Sequence, residues 1–143
     1  MGTQENKEVV RLLVDTLWNQ GDFGAVEQYF AATFRNYNPN LPFVTDRSSL
    51  TEWMAATRAS FPDVHMYLEA LVAEDDLVMT RWTLRGTHLG PVGDMPPTGR
   101  MVTVTGATTY RLLAGQVVEC WWAIDVYTML KQIGAFNREM VAA

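Results

Sequence analysis

The sequence predicts an α+β domain in which helices gather on one side of a strongly curved antiparallel sheet. Apolar residues recur at helical spacing as far as Ser60. Beyond Pro62 the period changes from 3.6 to 2, and a short helical run closes the pattern after Asp125. A bent sheet covered by helices leaves a cone-shaped interior suited to a small molecule. At 143 residues the chain suits one domain, 1–143, whose core needs neither disulfide nor metal.

The elements follow in order. Val9, Val10, Leu13, Val14, Leu17 and Trp18 form an apolar stripe on a helix over 4–20, with Thr3 as cap and Gly21 as stop. Asp22 is placed to cap a second helix, 23–31, that buries Val26, Tyr29 and Phe30. Two prolines and three asparagines mark residues 34–43 as an irregular loop. A third helix runs from Asp46 to Ser60 and is broken by Phe61-Pro62-Asp63. Residues 65–73 and 77–87 read as strands joined at Glu74-Asp75-Asp76. On the second of them Val78, Trp82, Leu84 and His88 share one face, Arg81 and Arg85 the other. Residues 90–99, GPVGDMPPTG, form a loop long enough to fold over a cavity mouth.

Residues 101–113 and 116–125 then form a hairpin around Ala114-Gly115. With Leu113 paired to Gln116, alternation puts Val102, Val104, Tyr110, Leu112, Val117, Trp121 and Asp125 on one face, unless a bulge intervenes. The opposite face of the second strand carries Val118, Cys120, Trp122 and Ile124. That apolar surface predicts self-association, as a homodimer or homotetramer. Two roles are open to Asp125. It can cap the helix beginning at Val126, or it can sit desolvated among Trp and Val side chains, its pKa raised into the range of a general acid and base.

Composition narrows the function. With 48% hydrophobic and 19% charged residues the chain is globular, and no apolar run could span a bilayer. The first 20 residues lack a signal-peptide core, which makes the cytoplasm the expected location. Sixteen acidic against eleven basic residues give a net charge of −5, and no basic cluster favours nucleic acid. Cys120 is the single cysteine and reads as a buried hydrophobe. His65 and His88 stand far apart in no ligand cluster, so no metal site is expected. The common nucleotide-binding and hydrolase motifs are absent.

The segments Arg81-Trp-Thr-Leu-Arg-Gly-Thr-His-Leu-Gly90, Met95-Pro-Pro-Thr-Gly-Arg100, Glu119-Cys-Trp-Trp-Ala-Ile-Asp125 and Met129-Leu-Lys-Gln-Ile-Gly134 resemble the SnoaL-like polyketide cyclases. These are small α+β cone proteins of the nuclear transport factor 2-like group. The likeness spans nearly the whole chain. It implies intramolecular aldol closure of an aromatic polyketide with no metal and no organic cofactor. By the same resemblance Asp125 is the acid and base, and His88 a second polar group orienting a substrate oxygen or Asp125. Trp82, Trp121 and the loop at Met95 line a slot for a planar substrate, with Trp18 and Trp53 as further candidates. Many relatives carry histidine where this chain has Asn38, leaving Asn38 to bond a substrate carbonyl or to shape its loop. Two rival expectations are a cofactor-independent polyketide hydroxylase on the same scaffold and a non-catalytic small-molecule-binding protein.

Overall fold

The computed structural model describes residues 2–136. Helix α1, Thr3–Leu13, continues without a break into a π-wound segment, Val14–Asn19. Val10, Leu13, Val14, Leu17 and Trp18 are buried along it, the stripe that the spacing predicts. Gly2, not Thr3, precedes the first turn, and no side chain caps it. Gly21 turns the chain away at φ +70°, a conformation open to glycine at little cost.

The predicted second helix is corrected. A 3-10 turn, Phe23–Ala25, leads into a single α-turn, α2, Val26–Tyr29, and Asp22 makes no capping hydrogen bond. The chain then extends as strand β1, Phe30–Tyr37, where helix end and loop were expected. Phe30 and Phe34 are four residues apart and both buried, which imitates a helical face. Residues four apart also share a face in a strand, and both rings are buried here, while the register with β5 slips between Phe30 and Arg35.

Helix α3, Arg47–Ser60, begins where the sequence places it. The Asp46 carboxylate accepts from the Ser49 N–H at 2.8 Å, and Ser49 Oγ accepts from the Asp46 N–H at 3.0 Å. This reciprocal pair satisfies donors that a helix start leaves open. Leu50 and Met54 are buried against the sheet.

The remaining strands are β2, His65–Glu74, β3, Leu77–Thr87, β4, Met101–Leu113, and β5, Gln116–Ile124. Helix α4, Val126–Gln132, follows. The sheet order is β1-β5-β4-β3-β2, with β1 parallel to β5 and the other pairs antiparallel. The sheet thus has five strands and is mixed, not four and wholly antiparallel. It is not closed; α1, α3 and α4 cover its inner face, so the fold class stands as α+β. No helix among the described residues is long and apolar enough to cross a membrane.

The β4–β5 hairpin turns at Ala114 and Gly115, both at positive φ, with Leu113 opposite Gln116 as predicted. One step later the pairing breaks. Leu112 faces Val117 but Arg111 faces Glu119, so Val118 is an extra residue on β5. Such a bulge reverses which side each later residue faces. Cys120 and Trp122 are therefore buried inside and Ile124 borders the interior, while Trp121 lies on the outside. The surface proposed for self-association is mostly the inner wall of the molecule, and that motive for a homodimer or homotetramer lapses.

Candidate active site

Between the sheet and α3 lies a cavity of about 440 Å³. Four tryptophans line it: Trp18 from the first helix, Trp53 from α3, Trp82 from β3 and Trp122 from β5. Trp122 is their centre, its ring centroid 5.0 Å from Trp53, 6.1 Å from Trp18 and 6.3 Å from Trp82, all edge to face. Aromatic rings favour this geometry because the positive edge of one meets the negative face of another.

Polar atoms behind the rings hold two of them in place. Trp82 Nε1 donates to Thr108 Oγ1 at 2.9 Å, and Trp122 Nε1 donates to Asn36 Oδ1 at 2.7 Å. Asn36 in turn donates to the Val44 carbonyl at 3.0 Å. Each indole thus spends its one donor on the protein and turns a carbon surface to the cavity. Leu41, Phe61, Met66, Val102, Ile124 and Met129 extend that surface. Among the described residues none that lines the cavity is ionisable. The Thr57 and Ser60 hydroxyls that reach it donate to the Trp53 and Pro91 carbonyls.

Trp18, Trp53 and Trp82 therefore stand where the sequence reading placed them. Trp121 does not. The bulge at Val118 turns it outward, where it stacks on Tyr37 at 5.5 Å and lies under the Arg111 guanidinium at 5.4 Å. Trp122 takes its place, and the adjacent pair of tryptophans was the signal that one of them had to face inward. Met95 is partly buried against the core, but the residues of its loop that line the cavity are Pro91, Val92 and Gly93. Asn38 is buried; its Oδ1 accepts from the Asn40 N–H at 3.1 Å, which shapes the loop, and its Nδ2 has no hydrogen-bond partner. Asn40 ties that loop to the Ile124 carbonyl at 3.2 Å.

Asp125 needs the largest correction. Its flanking residues Ile124 and Val126 both line the cavity, yet its own side chain is exposed. Its carboxylate caps α4, accepting from Thr128 Oγ1 at 2.6 Å and from the Thr128 N–H at 3.1 Å. The hydroxyl and then the backbone donor favour the charged form and hold the pKa below the ordinary carboxylate value, against a smaller opposing effect of burial. The expected upward shift is reversed because the side chain is turned to solvent and to Thr128, and is not among the residues that line the apolar interior. His88 is fully buried at the end of β3, packed 5.7 Å from the ring of Phe61. It extends the inner face as predicted but is not itself part of the cavity wall.

Asp46 and Asp63 share the condition of Asp125. The Ser49 N–H and hydroxyl lower the pKa of Asp46, and the Thr87 N–H and hydroxyl, each at 2.7 Å, lower that of Asp63. A carboxyl whose folded pKa is depressed contributes stability above its unfolded value and loses it as pH falls through the folded one. All three unfold as ordinary carboxyls near 3.8. The urea midpoint is thus expected to hold from neutrality to about pH 4 and to fall steeply below it. Replacing Asp63 with Asn should flatten that limb.

A helix-covered open sheet with an apolar cavity defines the class: a small α+β protein built around a small-molecule pocket. Comparison with known proteins gives the family. The model of the SnoaL-like polyketide cyclases matches residues 8–133, and the chain belongs to that family. Among solved structures, IdmH from Streptomyces antibioticus, a proposed polyketide cyclase, is 30% identical, with a TM-score of 0.81 over 90% of this chain and 98% of that one. A proposed SnoaL-like polyketide cyclase from Jannaschia sp. CCS1 is 27% identical, with a TM-score of 0.84 over 93% and 94%. AclR from Streptomyces galilaeus, a proposed hydroxylase, is 24% identical, with a TM-score of 0.84 over 94% of this chain and 83% of that one; it shows likeness of fold alone. No curated protein matches the chain significantly.

Proposed function

We propose that the protein closes a ring of an aromatic polyketide by an intramolecular aldol reaction, with the chain folded in the tryptophan-lined cavity. The observation that supports this reading is a carbon-surfaced cavity of about 440 Å³ whose lining includes Ile124 and Val126, the neighbours in sequence of the exposed Asp125. Flat, conjugated substrates fit such walls by area burial and ring contact. A methylene between two carbonyls is acidic enough that holding the chain in a bent conformer supplies much of the rate. Asp125 acts as an ionised base at the rim, taking the methylene proton as the new carbon–carbon bond forms. The resulting carboxylic acid is strong, its conjugate base being held by Thr128, so it returns the proton readily to the alkoxide made at the attacked carbonyl.

A second reading is a binding protein without turnover, and one observation favours it: the Asp125 carboxylate is already occupied as a helix cap. Incubation with a tricyclic aromatic β-keto ester, followed by mass spectrometry, separates the readings. Aldol closure yields a product of unchanged mass, or lighter by one water, without oxygen uptake. Recovery of unreacted but bound ester would leave the binding protein. Gain of one oxygen atom, with oxygen consumed, would make the protein a hydroxylase and sink the cyclase reading.

A further inference from the structure

The loop 90–99 contributes Pro91, Val92 and Gly93 to the cavity wall and is fastened at both roots. At its start the Leu89 and Gly90 N–H groups both donate to the Ser60 carbonyl at 3.0 Å, and Ser60 Oγ donates to the Pro91 carbonyl at 2.7 Å. Gly90 lies so close to α3 that a Cβ there would stand 2.1 Å from the Ala59 carbonyl oxygen. Between the roots, Val92 and Met95 exchange two backbone hydrogen bonds of 2.9 Å, which makes the tip a compact turn. At its far end the loop is exposed, and there it meets the buried ring of His88.

That contact fixes the state of the ring. The Thr98 N–H donates to His88 Nδ1 at 3.2 Å, and Thr98 Oγ1 lies 2.9 Å from the same nitrogen. An imidazole nitrogen that accepts from an N–H carries no proton, so the proton is on Nε2. Nε2 is buried with no hydrogen-bond partner. The ring's polar work is therefore done at Nδ1, toward the loop and not toward the cavity, whose wall it does not join.

We propose that His88 is a positioning residue that latches the 90–99 loop as a lid, and that breaking the latch is the step that lets a planar aromatic ligand leave the cavity. The inference rests on the cavity being the ligand site, as proposed above. It replaces the role of orienting a substrate oxygen or Asp125 that the resemblance implied for this histidine.

Variants of His88 and Thr98 test it, with 1,8-dihydroxyanthraquinone as the probe and quenching of tryptophan fluorescence as the signal. His88→Phe fills the same space without an acceptor, and dissociation should quicken about tenfold, the loss of one part-buried hydrogen bond. His88→Asn puts an amide oxygen where Nδ1 was and should keep the rate within about twofold of the native protein. A residue serving only to fill the core would give the opposite order, because phenylalanine fills the site better and removes the orphaned Nε2–H. Should His88→Phe fail to fold, Thr98→Pro removes the N–H and the hydroxyl together at an exposed site, and the same tenfold change is expected. Native-like release from both acceptor-free and donor-free variants, or release from His88→Asn as fast as from His88→Phe, would overturn the latch. Absence of any probe binding to the native protein would overturn the cavity as ligand site, and the latch with it.

Discussion

Replacing Asp125 with asparagine is expected to slow ring closure by about a hundredfold or more while leaving thermal stability close to native. The two effects separate because they belong to different properties of one side chain. As a cap, the carboxylate accepts from the Thr128 N–H, and an asparagine Oδ1 accepts equally well. As a base it takes a proton, which the amide cannot do. The pH profile discriminates further. A carboxyl buried among tryptophans would lose activity as pH falls through neutrality, because its pKa would be raised. Asp125 is held below the ordinary value by Thr128, so its acid limb should lie below about pH 4, with kcat/KM flat from neutrality down to it. Thr128→Val removes the hydroxyl that contributes most to that shift, and the limb should move upward. Undiminished turnover in Asp125→Asn, with stability unchanged, would assign the residue to capping alone.

The sequence carried these elements unequally, for physical reasons. Helix α3, the β2–β3 and β4–β5 turns and the inner face of β3 were legible because each is set by local chemistry: a cap, positive-φ turn residues, strict alternation. Strand β1 was not, since it pairs in parallel with a strand more than 80 positions later in the chain and its local spacing of Phe30 and Phe34 imitates a helix. The site was half legible. Trp18, Trp53 and Trp82 follow from undisturbed periodicities, whereas Trp122 depends on one extra residue at Val118. Plain alternation from Val117 would turn Glu119 inward; the extra residue instead buries Cys120 and Trp122 and leaves Glu119 partly exposed, paired with Arg111 at 2.9 Å. The same slip decides the outward turn of Trp121 and sends Ile124 to the cavity, so one residue redraws the site.

Gly106→Ala should destabilise the fold by about 1–3 kcal/mol, the cost of forcing atoms into a packed interior, and should weaken binding of a planar aromatic more than tenfold. Gly106 faces Trp82 across β3–β4 and Ile124 across β4–β5, so it is the floor between two lining residues. A Cβ there would lie 2.4 Å from Trp82 Cζ2, 2.6 Å from Cη2 and 2.7 Å from the Ala123 carbonyl oxygen. The last of these is backbone in the sheet and cannot step aside. The ring could, but only by tilting into the cavity and stretching its hydrogen bond to Thr108. Urea denaturation reads the first effect and fluorescence titration with dihydroxyanthraquinone the second. Trp82→Phe in the same chain should restore part of the lost stability, because the smaller ring has no atoms at the colliding positions; the two substitutions are then non-additive, as contacting residues are. Additive losses, or native affinity in Gly106→Ala, would mean that the Trp82 indole does not form the wall against which the ligand lies.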